Sequence, residues 1–258
     1  MINVAVLGAG RIGHVHAANV AGHCDAVLAV VADPFIENAQ KLTAAYGGRA
    51  ISDPLEAIAD PTIDAVVIGT PTDTHVSLML AAAQAGKAVL GEKPVDLDIQ
   101  KAREAQRVLG ERASRVMLGF NRRFDPGFSE IHQRLRAGEI GELHQLLITS
   151  RDPGLAPMNY LKHSGGIFRD MAIHDFDLAR WILGEEPVEV FASGSRLFAP
   201  ELEALGDYDT VMVQLRTASG KQCQINCSRQ AVYGYDQRIE AFGAGGMLLN
   251  DNQRETSV

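Results

Sequence analysis

Short apolar runs and helically spaced apolar residues alternate over residues 1–119. "INVAVL" reads as a buried strand that passes through a glycine turn into the helical stretch "RIGHVHAANV". "AVLAVVAD" is a second apolar strand, and "FIENAQKLTAAYG" is a helix closed by Gly47. "IDAVVIGTP" and "KAVLGEKP" follow as strands around the helix "DTHVSLMLAAAQAG". "DIQKAREAQRVLGERA" is a further helix, and "RVMLGF" closes the series as a strand. Continuous apolar strands alternating with helices predict an α/β domain: a doubly wound parallel sheet covered on both faces.

From residue 120 to residue 258 the pattern changes. "PGFSEIHQRLRAGEIG" reads as a helix and "ELHQLLITSRD" as a strand, followed by a loop rich in Pro, Gly and Asn to residue 166. One helix is expected from about Gly166 to Gly184. "PVEVFASGSRLF", "DTVMVQLRTASG", "KQCQINCSRQAV" and "QRIEAFGAGG" then read as strands with turn signals between them. The prediction is an α+β second domain on a largely antiparallel, open sheet.

Composition narrows the class. A hydrophobic fraction of 46% and a charged fraction of 22% fit a soluble globular protein. No apolar run is long enough for a membrane span, and "MINVAVLGAG" lacks the basic start and cleavage site of a signal peptide. The three cysteines, Cys24, Cys223 and Cys227, are too few and too irregular for a disulfide framework. A cytoplasmic protein is the expectation. Cys223 and Cys227 lie on one face of a strand, which reads as packing, and no metal site is expected. A net charge of −8 disfavours nucleic acid or an anionic membrane as partner.

The glycine turn carries the first candidate chemistry. Gly8, Gly10 and Gly13 stand in G-x-G-x-x-G spacing between a strand and a helix. Gly8 permits the tight turn, Gly10 lets a pyrophosphate approach the backbone, and Gly13 lets helix and strand pack closely. The helix N-terminus then offers N–H groups and a positive dipole end. Asp33 closes the second strand, where a carboxylate accepts hydrogen bonds from an adenosine ribose and repels a 2′-phosphate. This predicts a Rossmann domain that takes NAD in preference to NADP. A turn role before Pro34 is the alternative for Asp33. Thr70, Pro71, Glu92, Lys93 and Pro94 fall at strand carboxyl ends, where ligands bind in such sheets. Lys93 is either a cation held in that crevice or a solvated loop residue. His75 is either a cofactor contact or a first-turn helix residue.

The second candidate is "GGIFRDMAIHDFDLARWILG", whose apolar helical pattern is broken by Asp170, His174, Asp175 and Asp177. Asp170 and His174 stand at i, i+4 and so share a helix face, which Asp177 can join, while Asp175 points elsewhere. The pair is either a surface ion pair or a carboxylate that orients an imidazole for proton abstraction. Asp175 and Asp177 are candidates for plain helix surface. With Lys93 to stabilise an alkoxide, the pair describes a dehydrogenase site between two domains.

At "GAGRIGHVHA", "GTPTDTH", "GEKP" and "GGIFRDMAIHDFD" the chain resembles the glucose–fructose oxidoreductase/inositol dehydrogenase/MocA family. The resemblance covers essentially the whole chain, and "RDMAIHDFDLARWILG" is its most specific segment. It implies a catalytic group of Lys93, Asp170 and His174, with either Lys93 or His174 as the base. It also implies Arg11 and Ile12 near the pyrophosphate and His75 near the nicotinamide crevice. "GFNRRFDP", "SRDP" and "CSRQAVYGYDQRIEAFG" are most similar to members that act on myo-inositol. That similarity implies oxidation of the axial hydroxyl to 2-keto-myo-inositol, with NAD as acceptor and a polyol as substrate partner. It places substrate contacts on Lys93, Asn121, Arg122, Asp152, Asn159, Asp170, His174 and Tyr235, with Tyr233 able to replace Tyr235. It further implies a homotetramer built on the open sheet face. Family members usually continue for some tens of residues, so a second domain cut short in the polar "NDNQRETSV" is expected. Two other readings stand beside this one: a dehydrogenase of another inositol or sugar, and a non-catalytic NAD-binding regulator. Retention of Lys93, Asp170 and His174 counts against the regulator.

Overall fold

A computed structural model describes residues 1–252 of the chain. Contacts divide it into two units, Met1–Gly119 and Phe120–Val258. The first unit runs β1 (Ile2–Leu7), α1 (Arg11–Gly22), β2 (Ala26–Ala32), α2 (Ile36–Tyr46), β3 (Arg49–Ile51), α3 (Pro54–Ala59), β4 (Ala65–Ile68), α4 (His75–Gln84), β5 (Ala88–Gly91), α5 (Ile99–Leu109) and β6 (Val116–Leu118). All its strand pairs are parallel, in the order β3-β2-β1-β4-β5-β6. The order reverses between β1 and β4, the switch point at which such sheets bind dinucleotides.

Strand β1 is apolar throughout because both of its faces are covered. Val4 and Val6 pack with Ala17, Ala39 and Leu42 on one side. Ala5 and Leu7 pack with Ala57, Ile58, Leu78 and Met79 on the other. The periodicity did not resolve β3 or α3, which are too short to show a period. Their signal is local: the Asp53 side chain accepts from Leu55 N–H at 2.8 Å, with Pro54 at the first helical position.

The second unit runs α6 (Pro126–Arg136), β7 (Leu143–Arg151), α7 (Met158–Ser164), α8 (Ile167–Asp170), α9 (Ile173–Leu183), β8 (Pro187–Ser195), β9 (Thr210–Thr217), β10 (Gln222–Ser228), β11 (Asp236–Gly243) and β12 (Gly246–Asn250). Its sheet has the order β12-β11-β7-β10-β9-β8. Among the described residues only β7 and β10 pair in parallel here, so the expectation of a largely antiparallel sheet holds. One face carries the core, where Leu146, Ile148, Val213, Ile225 and Ile239 meet Phe128, Ile131, Leu178 and Ile182. Each such side chain contributes roughly 1.5–3 kcal/mol relative to exposure. Cys223 and Cys227 are buried on this face, and burial pushes both thiols up, away from reactivity. The opposite face is open and exposes Leu147, Phe191, Met212, Phe242, Met247 and Leu249. Among the described residues no helix is long and apolar enough to cross a membrane.

Three sequence expectations change here. The loop expected up to residue 166 contains α7. The single helix expected from Gly166 to Gly184 is two helices, α8 and α9. Met171 N–H and Ala172 N–H both donate to the Ile167 carbonyl, at 3.0 and 2.8 Å, so the register slips by one residue. The slip lets two consecutive side chains, Met171 and Ala172, both face the core. Finally, "QRIEAFGAGG", read as the last strand, is β11 and its turn, and a further strand, β12, pairs with β11 before the polar end of the chain, whose residues 253–258 lie outside the described residues.

Candidate active site

In the first unit the glycines do three different things. Gly8 has φ +94°, and a Cβ there would lie 2.7 Å from the Gly69 carbonyl oxygen. A Cβ on Gly13 would lie 1.9 Å from the Gly8 carbonyl oxygen, so α1 can seat against the turn only with glycine at that position. A Cβ on Gly10 would meet nothing within 4 Å, which leaves open space before the first turn of α1. No side chain caps that turn and it holds no acid, so the N–H groups of Arg11, Ile12 and Gly13 suit an anion. This cradle fits a pyrophosphate.

Asp33 is buried beside the cradle. Its two oxygens accept from Ala9 N–H at 2.8 Å and from Phe35 N–H at 2.9 Å. The carboxylate therefore shapes the turn, as the alternative reading held. Each oxygen keeps a further lone pair for a ligand hydroxyl.

Thr70 and Pro71 follow β4, and Glu92, Lys93 and Pro94 follow β5, so both segments lie at strand carboxyl ends. His75 is buried between them. Its Nδ1 lies 2.8 Å from the Pro94 carbonyl and its Nε2 lies 2.8 Å from the Thr70 carbonyl. The ring ties the two segments together. Lys93 is half-buried and joined to Pro94 by a cis peptide bond. The Glu92 carboxylate meets His16 Nε2 at 2.7 Å and accepts from Lys93 N–H at 3.3 Å. Burial pushes Glu92 up, but the His16 and Lys93 contacts outweigh it and hold the carboxyl below its ordinary value.

In the second unit the parallel pairing of β7 with β10 brings two carboxyl ends together. Asp152 follows one strand and Arg229 the other, with Asp152 N–H donating to the Ser228 carbonyl at 3.0 Å. Burial raises the Asp152 carboxyl, Asp170 and Asp175 add to that, and Arg229 and Arg122 oppose it. Asp170 ends α8. It accepts from the Tyr160 hydroxyl at 2.7 Å and lies 3.6 Å from the Arg229 guanidinium. His174 stands in the first turn of α9, with its ring edge-on to Phe120 at 6.2 Å. The break at Met171 and Ala172 replaces the uninterrupted helix on which the i, i+4 reading rested.

Asp175 and Asp177 are not helix surface: they are 0% and 6% exposed. Asp175 pairs with Arg122 and accepts from the Cys227 thiol at 3.3 Å, and burial raises its carboxyl despite the arginine. Asp177 takes both nitrogens of the Arg123 fork, at 2.6 and 2.8 Å. Arg122, expected at the substrate, thus binds Asp175 and Ser150 Oγ through its two terminal nitrogens. Asn121 and Asn159 are exposed, and the Asn159 side chain accepts from Tyr160 N–H at 3.0 Å. Tyr233 donates to Asp236 at 2.7 Å, while Tyr235 is exposed. The sequence reading named neither Arg229 nor Tyr160. The available signal for Arg229 was a cation directly after a buried strand, the same signal that singled out Lys93.

Residues 2–120 match the oxidoreductase family described by its NAD-binding Rossmann fold, and residues 128–249 match the GFO/IDH/MocA C-terminal domain. The inositol 2-dehydrogenase of Rhizobium meliloti is 51% identical over 258 residues, 100% of this chain and 78% of that protein. The myo-inositol 2-dehydrogenase of Thermotoga maritima is 46% identical, over 100% of this chain and 77% of that protein. The crystal structure of scyllo-inositol dehydrogenase from Lactobacillus casei, with bound NAD(H) and scyllo-inositol, superposes with a TM-score of 0.91. It is 30% identical, over 100% of this chain and 78% of that one. The glycine cradle, the strand order and these matches together place the chain in the GFO/IDH/MocA family, as an NAD-dependent oxidoreductase.

Proposed function

We propose that this oxidoreductase converts myo-inositol to 2-keto-myo-inositol, with a catalytic group of Lys93, Asp170 and His174. The observation that carries the substrate is the 51% identity, along the whole chain, to a protein named inositol 2-dehydrogenase. Scyllo-inositol is the second reading, favoured by a relative of that specificity from Bacillus subtilis at 38% identity.

Bound NAD supplies the hydride acceptor. The substrate carbon loses its hydrogen as hydride, its hydroxyl loses a proton, and a carbonyl forms. His174 takes the hydroxyl proton, since an imidazole titrates near working pH. Asp170 orients the imidazole. Lys93 stabilises the alkoxide that develops as the proton leaves. Asn121, Arg122, Asp152, Asn159 and Tyr235 form the substrate contacts. Of these, Arg122 also braces α9 through Asp175, and Asp152 presents a polar edge to a ring hydroxyl. Arg11, Ile12 and Gly13 hold the pyrophosphate, Asp33 the ribose, and Thr70, Pro71, His75 and Glu92 shape the nicotinamide end. The second unit binds substrate and forms a tetramer through its open sheet face.

NADH formation across a panel of inositols and hexoses tests the substrate. Myo-inositol gives the highest kcat/KM, and a product with the mass and reactivity of a ketone accumulates. A hexose preferred over every inositol would contradict the assignment. Asp33→Ser relaxes the preference for NAD over NADP in the same assay, and an unchanged ratio would remove Asp33 from that role.

A further inference from the structure

We propose that Arg229, backed by Asp207, and Tyr160 are positioning residues that fix the carboxylate of Asp170. The inference rests on the reading of Asp170 as part of the catalytic group. Arg229 is 2% exposed, so its guanidinium has exchanged water for fixed partners. It donates to Asp207 Oδ2 at 2.9 Å and to the Tyr208 carbonyl at 3.3 Å. Its remaining terminal nitrogen lies 3.6 Å from Asp170 Oδ2. The backbone is pinned as well, with Arg229 N–H donating to the Asp209 carbonyl at 2.8 Å.

Asp207 holds the other end of the same short helix. Its Oδ1 accepts from Ile167 N–H at 2.8 Å, the first residue of α8. That approach needs glycine next door: Gly166 has φ +80°, and a Cβ there would lie 2.9 Å from Asp207 Oδ1. The Asp207–Arg229 pair therefore grips α8 at Ile167 and at Asp170, its first and last residues. Tyr160, from α7, donates to the second oxygen, Asp170 Oδ1, at 2.7 Å. Both oxygens of Asp170 are thus addressed by groups on other elements. A carboxylate that must orient an imidazole gains from this, because misplacement by about 1 Å costs catalysis about a hundredfold. Tyr160 is 46% exposed, so its hydroxyl can be removed without opening the core.

The test is a double-mutant cycle on the full chain, with steady-state kcat and KM measured on the polyol that gives the highest rate. Arg229→Lys lowers kcat about tenfold and leaves KM for NAD unchanged; Tyr160→Phe lowers kcat about threefold. On an Asp170→Asn background each change has less than about a twofold further effect, since the group it positions is already lost. Equal factors on both backgrounds, or wild-type kcat in both single variants, would overturn the proposal. Wild-type kcat in Asp170→Asn alone would overturn it together with the role of Asp170. Should Arg229→Lys fail to fold, the Tyr160→Phe cycle decides by the same criteria.

Discussion

Glu92 joins a cofactor-end loop to the first helix at the level of single atoms. Its carboxylate faces His16 Nε2 from α1 at 2.7 Å and takes the N–H of Lys93 at 3.3 Å. Its folded pKa lies below the ordinary 4.5, so folding favours the ionised form. That stabilisation is fully present above about pH 4.5 and is lost as pH falls through the lowered value. Glu92→Gln is therefore expected to lower stability by about 1–2 kcal/mol at pH 7. Melting curves of the two proteins should converge as acid protonates the wild-type carboxyl. A constant difference between pH 7 and pH 3 would mean that the contacts act as neutral hydrogen bonds. At this scale the sequence marked Lys93 by its strand end and Asp170 with His174 by their spacing, but the break between α8 and α9 removes the single helix which that spacing assumed. Arg229 also follows a strand, but its partners Asp207 and Asp170 lie 22 and 59 residues away in the chain and meet it only through the fold.

The elements that carry His174 separate two kinds of buried acid. Asp175 points to the sheet, where Arg122, Cys227 and the Ser150 position enclose it. Asp177 faces Arg123, whose side chain is 39% exposed and can be hydrated if its partner is lost. Asp175→Ala leaves the arginine uncompensated and should cost about 3–5 kcal/mol in urea denaturation. Asp177→Ala should cost about 1 kcal/mol, because its arginine retains water. Similar losses for both would contradict this account of α9. The sequence placed both acids in a helix but not inside the fold, because periodicity treats charge as a mark of surface. The matching arginines are adjacent in "NRRF", but only the folded chain aligns each with its acid. The break between α8 and α9 was equally hidden, since neither a glycine nor a proline marks it.

For the whole molecule, patterning marked most strands of both sheets, as continuous apolar runs in the first and by an apolar period in the second. It missed the elements too short to have one, β3 and α3 among them. The open face of the second sheet presents Phe191, Met212 and Leu249 as exposed apolar side chains. If the proposed tetramer forms through this face, Phe191→Lys combined with Met212→Glu should shift the mass seen by light scattering to smaller species. An unchanged mass would place the interface elsewhere. NAD chemistry on an inositol, with Lys93, Asp170 and His174 as the catalytic group, is the proposed function. The most direct test is the rate of NADH formation from myo-inositol in wild type, Lys93→Ala and His174→Ala, each with an unchanged melting temperature. A fall in kcat of about 10²–10⁴-fold is expected for His174→Ala and of about 10²–10³-fold for Lys93→Ala. Folded variants that turn over at the wild-type rate would contradict it.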